Sequence, residues 1–280
     1  MGGAAGWPGV IPRPGSVGSL VLTDALYAAT GWAPSWCRDL CAYYQVRPSE
    51  ALALGTRAKG RRPSLPGSPT CQPVFGKTWE ELWEARPRDT EEAVHAFWQE
   101  IGAWAAFRQA VRHRRRSWRH VSRVLRDGGA LLEYGAGIAP VAWWLARRRA
   151  LTVTVADVPS EHFRFGVWRL RRRGAKVDVL EITPGTLPLS AAYDAACVLE
   201  VLEHCPAPLE TIRHVTEHLT PGGHLFEDFT PHNDPHAADL PHAQAERPQV
   251  YAYLQRRYAL VAGRPWDAPD GGGVRMWRKC

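Results

Sequence analysis

Lysine is scarce in this sequence. Only four of its 35 basic residues are lysine (Lys59, Lys77, Lys176 and Lys279), so the other 31 are arginine. With abundant Ala, Gly and Pro, that skew reads as a GC-rich coding bias. A net charge of +7 raises nucleic acid or an acidic substrate as a partner. The runs Arg112–Arg116, Arg147–Arg149 and Arg171–Arg173, however, fall at or near expected helix ends, where cations complement the dipole. Solvated helix faces are therefore the favoured reading, and no nucleic-acid partner is expected. There is also no 18-residue apolar run and no basic-then-apolar leader, so neither a membrane span nor a signal peptide is expected. Six cysteines (Cys37, Cys41, Cys71, Cys197, Cys205 and Cys280) include no CxxC pair. Cys37 and Cys41 are four apart with no second pair at zinc spacing, which points to free thiols in a reducing cytoplasm. No internal repeat is visible, and no RNA- or protein-binding module is recognisable.

What is present is enough for a packed core: 280 residues with an apolar fraction of 45%. The stretch Leu131-Leu132-Glu133-Tyr134-Gly135-Ala136-Gly137-Ile138-Ala139-Pro140 organises the rest. Apolar residues lead into an acid, then Gly-x-Gly, then a proline suited to a first helical turn, so a strand, a tight turn and a helix start are expected. Glycines at 135 and 137 let backbone approach a ligand, and the amides of the next helix point at the same place. A second strand ends in Asp157, 20 residues beyond Gly137. That offset is close to the ~20 residues at which an acid meets a ribose diol in nucleotide-binding α/β folds. A nicotinamide or flavin site and an S-adenosylmethionine (SAM) site both use this layout. Pro140 stands where the dinucleotide fingerprint wants a third small residue, and Glu133 would repel a pyrophosphate but suit an ammonium. SAM is favoured.

Residues 1–18, rich in Gly and Pro, read as a flexible tail, residues 19–127 as a helical cap, and residues 128–280 as the ligand-binding domain. Within the cap, helices are expected over 20–29, 34–46 and 48–58, with a proline-rich loop over 60–76. A capping box at Thr78-Trp79-Glu80-Glu81 opens a further short helix. A long helical region runs from Thr90 to Arg126, with Gly102 a candidate break. Beyond Ala130, strands are expected at 130–134, 151–156, 176–181, 193–199 and 223–229, alternating with helices at 140–149, 160–173 and 207–219. A helix near 247–257 precedes two last strands, 258–261 and 274–278, whose connection suits an antiparallel pair.

From Ala130 onward the chain resembles the class I SAM-dependent methyltransferases. The matching text is Leu132 to Gly137, Asp157, Tyr193-Asp194-Ala195-Ala196-Cys197-Val198-Leu199-Glu200-Val201-Leu202-Glu203-His204, and Leu219-Thr220-Pro221-Gly222-Gly223. It departs at Ala139, where many members carry a third glycine. The resemblance implies a seven-stranded Rossmann-like sheet, mostly parallel with an antiparallel last strand. It also implies cofactor contacts from Glu133, Tyr134, Gly135, Ala136 and Gly137, from Asp157 and Val158, and from Glu181, Ile182, Leu199 and Glu200. Glu133 would face the methionine ammonium, Asp157 both ribose hydroxyls, and Glu181 with Ile182 the adenine.

Transfer from a sulfonium asks the protein to align nucleophile, methyl and sulfur, to exclude water and to remove any acceptor proton. His204 and Glu200 are candidate bases, and Trp98 and Trp104 are candidate lid residues whose helix leads into the first strand. His232, Asn233, Asp234, His236 and His242 follow the fifth strand in a loop without compact finger spacing, and no metal is expected. The leading expectation is a small-molecule methyltransferase. The alternatives are a SAM-cyclising enzyme forming azetidine-2-carboxylate and methylthioadenosine, and a non-catalytic binding protein of the same fold. Oligomeric state is not legible.

Overall fold

The computed structural model of this chain describes residues 28, 35–51, 83–112, 118–146, 150–229, 239–267 and 272–280. Its elements begin with α1 (Ser35–Tyr44), α2 (Glu91–Arg112) and α3 (Trp118–Val124), followed by β1 (Ala130–Tyr134) and α4 (Pro140–Leu145). Then come β2 (Thr152–Asp157), α5 (Glu161–Arg171), β3 (Val177–Glu181), β4 (Tyr193–Val198) and a single 3-10 turn, Leu202–His204. The chain ends with α6 (Pro208–Glu217), β5 (Leu219–Glu227), α7 (Pro241–Arg257), β6 (Tyr258–Ala262) and β7 (Arg275–Lys279). The expected helices over 20–29 and 78–86, the loop over 60–76 and the His232–His236 stretch lie largely or wholly outside the described residues.

The seven strands form one sheet in the order β3-β2-β1-β4-β5-β7-β6. Strands β3 through β5 are parallel, while β7 is antiparallel to both of its neighbours. The order reverses between β1 and β4, which opens a crevice at the carboxyl ends of the strands. The central strands are buried on both faces, as a parallel sheet covered by helices requires: Leu131, Leu132, Val153, Val155, Ala195 and Ala196 are all sealed from solvent.

Three differences from the sequence expectations have physical causes. Gly102 does not break the long helix: α2 runs unbroken from Glu91 to Arg112. Gly102 instead allows close approach: a Cβ there would lie 2.7 Å from the Glu161 backbone nitrogen, so α2 crosses the start of α5 at this point. Strand β5 begins at Leu219, four residues early, and carries Pro221-Gly222-Gly223 past a register shift between Tyr193 and Ala195. Helix α7 starts at Pro241 rather than near Arg247, because Pro248 is accommodated inside it.

The helix α2 begins where the sequence placed its cap, with the Ala93 amide donating to Thr90 Oγ1 at 3.2 Å and Glu91 and Glu92 in the first turn. Its Phe97, Ile101 and Trp104 pack into the same core as Leu132, Tyr134 and Val198 of the sheet, so the helix is seated directly beside the strand ends. At the far edge, Glu227 and Arg275 are both fully buried, with Arg275 Nε 2.7 Å from Glu227 Oε1. The Trp277 indole, the Tyr251 hydroxyl and the Phe229 amide also donate to this carboxylate. Every acceptor position is used, which is what makes a buried charge tolerable. Removing it by Glu227→Ala strands the Arg275 guanidinium in the core and is expected to cost about 3–5 kcal/mol in denaturant unfolding.

Candidate functional site

The turn after β1 is built by two carboxylates and a steric limit. Gly135 has φ +65°, and a Cβ on it would sit 2.3 Å from Val201 Cγ2, so only glycine fits. Ala139 takes φ +51° at the N-cap of α4, a left-handed conformation that favours glycine, so the alanine is held there at some cost. Asp157 closes the turn from β2: one carboxylate oxygen accepts from the Gly137 amide at 2.5 Å and the other from its neighbour Val158 at 2.6 Å. Glu133 holds the helix behind it, accepting from Val141 at 3.0 Å and Ala142 at 2.7 Å.

This corrects one expectation. Glu133 does not face the cavity; it is 4% exposed, and both of its oxygens are taken by the first amides of α4. Its role is to cap that helix, so the end of β1 and the start of α4 move as one body. Burial pushes its carboxyl up to about 7 against the pull of those amides, and burial lifts Asp157 to about 6.

A cavity of about 240 Å³ opens over this turn. Tyr134, Gly135, Gly137, Asp157, Val158 and Ile182, six of the expected cofactor contacts, are among its lining residues. Glu200, His204 and Trp98 line it as well. Glu200 adopts φ +58° and donates its amide to Asp228 Oδ1 at 2.6 Å, which fixes the bend after β4. The Trp98 ring lies between two imidazoles, 5.3 Å from His204 and 6.1 Å from His162.

Four other expected contacts are not brought to the cavity. Ala136 is buried below the turn and bonded to Ala156. Glu181 is exposed at the end of β3, paired in register with Asp157 but pointing away from the lining. Leu199 packs into the second core, behind β4. Trp104 is not a lid residue: it is 9% exposed in the core with Phe97 and Ile101, and Arg108 stacks on its ring. The two tryptophans are six residues apart, which turns them to different faces of one helix. His242 is exposed on the first turn of α7, outside the lining, while His232 and His236 lie outside the described residues. Among the described residues no cluster of His, Cys, Asp and Glu could hold a metal ion.

Beside Trp98, the cavity also gathers residues not foreseen. Glu91, Val94, His95 and Trp98 form an i, i+3, i+4, i+7 stripe of α2 on its wall. Gln109, further along the helix, accepts from the Ile138 amide at 3.2 Å. His162 bonds Ser160 through Nδ1 at 2.9 Å, and burial lowers it to about 4, so it is uncharged near neutrality. The α2 stripe was available as a spacing pattern. His162 was not, because its place depends on the bend that follows β2.

Glu91, Asp157, Glu200 and Glu210 line this space, with no Lys or Arg among the described lining residues. A ligand carrying positive charge fits such a wall, and a pyrophosphate does not. A sequence-family description of the methyltransferase domain matches residues 107–260, from the end of α2 through β6. The chain belongs to the methyltransferase domain family. SAM, a sulfonium bearing an ammonium, is the cofactor that this membership assigns, and it has the charge that the wall favours. Ubiquinone biosynthesis O-methyltransferases resemble this chain over its central part: the protein from Vibrio parahaemolyticus is 31% identical over 101 residues, 35% of this chain and 43% of the relative. That from Marinobacter nauticus is 32% identical over 108 residues, 37% and 45% respectively. The chain thus spans less than half the length of the curated relatives it matches. Among solved structures, a SAM-dependent methyltransferase from Aquifex aeolicus is 16% identical with TM-score 0.45, covering 59% of this methyltransferase and 88% of that chain. The [4+2]-cyclase SpnF is 28% identical with TM-score 0.37, covering 40% and 43%.

The two bonds of Asp157 leave its oxygens further lone pairs for a ribose diol. Diol donors favour the ionised carboxylate, so SAM binding is strongest above pH 6 or so and weakens as pH falls through the Asp157 value of about 6. Asp157→Asn keeps one acceptor for the Gly137 amide but lacks the charge. It is expected to lower SAM affinity at least about tenfold, near 1.4 kcal/mol, and to flatten that pH dependence in calorimetric titration. Unchanged affinity in the folded variant would remove Asp157 from the ribose site.

Proposed function

We propose that this methyltransferase transfers the methyl group of SAM to a small, neutral molecule. One observation carries the reading: the acidic, partly enclosed cavity lies over the Gly135–Gly137 turn at the strand ends, with Trp98 in its lining. The names of the O-methyltransferase relatives support a small acceptor, although the match to them is partial.

Bound SAM supplies a methyl group already activated on a positive sulfur, so the chain's own task is placement and dryness. Asp157 and Val158 hold the ribose side, Ile182 covers the adenine side, and the Gly135–Gly137 backbone lets the amino-acid part lie close. Trp98 offers an aromatic face to the sulfonium region and shields it from water. Glu200 and His204 stand near the acceptor side of the same wall. In this reading residues 19–127 form the cap region and residues 128–280 the cofactor domain. Its place is the cytoplasm, which the unbridged thiols of Cys197, Cys205 and Cys280 support. No helix among the described residues is long and apolar enough to cross a membrane.

The reading is tested by incubating the protein with SAM, with and without catechol or phenol, and following the products by mass spectrometry. S-adenosylhomocysteine that depends on the added acceptor is the expected product. Methylthioadenosine formed without acceptor would mean cyclisation instead, and binding without any product would mean a non-catalytic role. The tryptophans separate in the same assay. Trp104→Ala is expected to lose about 3–5 kcal/mol of stability, whereas Trp98→Ala should melt near the parent temperature and lose turnover.

A further inference from the structure

Every backbone N–H from Ala136 to Ala142 is already donated within the protein. Ala136 gives its amide to the Ala156 carbonyl at 3.1 Å, and Gly137 gives its own to Asp157 at 2.5 Å. Ile138 donates to Gln109 Oε1 at 3.2 Å, and Ala139 to the Ala136 carbonyl at 2.7 Å. Pro140 has no N–H, and the amides of Val141 and Ala142 are held by Glu133. The start of α4 is thus closed by the protein's own carboxylate, and the anion site that a helix N-terminus ordinarily offers is filled. SAM carries a carboxylate on its amino-acid part, and burying that group without a donor is costly. The described lining holds no Lys or Arg to take it. Arg108, one residue before Gln109, stacks on Trp104 outside that lining.

Gln109 meets this need. It lines the cavity from α2, and its carboxamide rests against the turn: a Cβ on Gly137 would lie 2.5 Å from Gln109 Oε1 and 3.1 Å from Nε2. Chemistry sets the orientation of that carboxamide, because the Ile138 N–H can be accepted only by its oxygen. The NH2 end is therefore the free end, with no acceptor among the described residues. Gln109 is half-buried, and this nitrogen is not sealed from solvent.

We infer that Gln109 recognises the carboxylate of SAM, its oxygen pinned to the turn and its NH2 group donating to the ligand. The inference rests on the SAM assignment above and is independent of which acceptor is methylated. Glu91, Asp157, Glu200 and Glu210 repel a carboxylate from the rest of the lining, so a donor on the turn directs that end of the ligand. A neutral amide holds an anion without adding positive charge, which leaves the acidic lining to favour the sulfonium.

Calorimetric titration of the full chain and its Gln109→Glu variant above neutrality, with SAM, decarboxylated SAM and methylthioadenosine, tests this. Gln109→Glu keeps an oxygen for the Ile138 amide and nearly the same shape, but sets a carboxylate where the NH2 group stood. Its SAM affinity is expected to fall at least about tenfold, in line with the loss of a charge-assisted hydrogen bond. Decarboxylated SAM, which keeps the sulfonium and the ammonium, should bind the variant at least as tightly as the parent. Methylthioadenosine, which lacks the amino-acid part, should bind both alike. An unchanged SAM affinity overturns the inference, as does a loss shared equally by SAM and decarboxylated SAM. Should Gln109→Glu not fold, nitrogen-15 spectra of the parent chain decide. The Gln109 side-chain NH2 signals should move on adding SAM and move less with decarboxylated SAM, and equal movement with both overturns the inference. Failure of the parent chain to bind SAM defeats the cofactor reading instead.

Discussion

Two buried carboxylates hold one glycine turn, and the site depends on that arrangement. Glu133 takes the first amides of α4, while Asp157 takes the Gly137 amide from the neighbouring strand. Together they fix the end of β1, the turn and the start of the helix against the end of β2. Both acids are buried and have raised proton affinity, so each is held in place by hydrogen bonds that offset a desolvation cost. Everything else at the site is placed relative to this turn. Val201 crowds Gly135 from β4's side, and Gln109 reaches the Ile138 amide from α2.

Because the turn is rigid, the cavity's other wall can come from a different part of the chain without losing definition. Helix α2 supplies it. Its buried face, with Phe97, Ile101 and Trp104, is continuous with the sheet core, and its neighbouring stripe, with Glu91, His95 and Trp98, faces the cavity. One helix therefore both closes the core and presents chemistry. Gly102 makes that possible, since any side chain there would push α2 off the backbone at Glu161.

The strand order and the Gly-x-Gly turn were legible because each rests on local pattern: apolar runs of strand length, an acid at a fixed offset, and a proline at a helix start. Strand edges moved by only one residue wherever the pattern was clean, as at β2 and β3. They moved further where Pro221-Gly222-Gly223 sits inside β5, since those residues usually end a strand and here are carried past a bulge. In the site, side chains at strand ends were easier to place than their partners. Glu133 was correctly singled out, but its direction was not legible, since the choice between a ligand and the α4 amides depends on how tightly the turn closes. Trp98 and Trp104 looked equivalent in sequence and are not, because their facing follows from which side of α2 meets the sheet.

The distribution of charge carries the last step. This chain has net charge +7, yet the described lining of its cavity has four carboxylates and no basic residue. Arg169 and Arg173 instead pair with Asp39 and stack on Trp143, away from that lining, where α1 meets α5. Net charge therefore describes the surface, while the cavity has the opposite sign. A cationic ligand entering it is attracted only once past the rim, which favours a small cation over a polyanion that would bind outside. Composition alone could not separate these two fields, because the folding that places acids at strand ends and arginines on helix faces is what divides them.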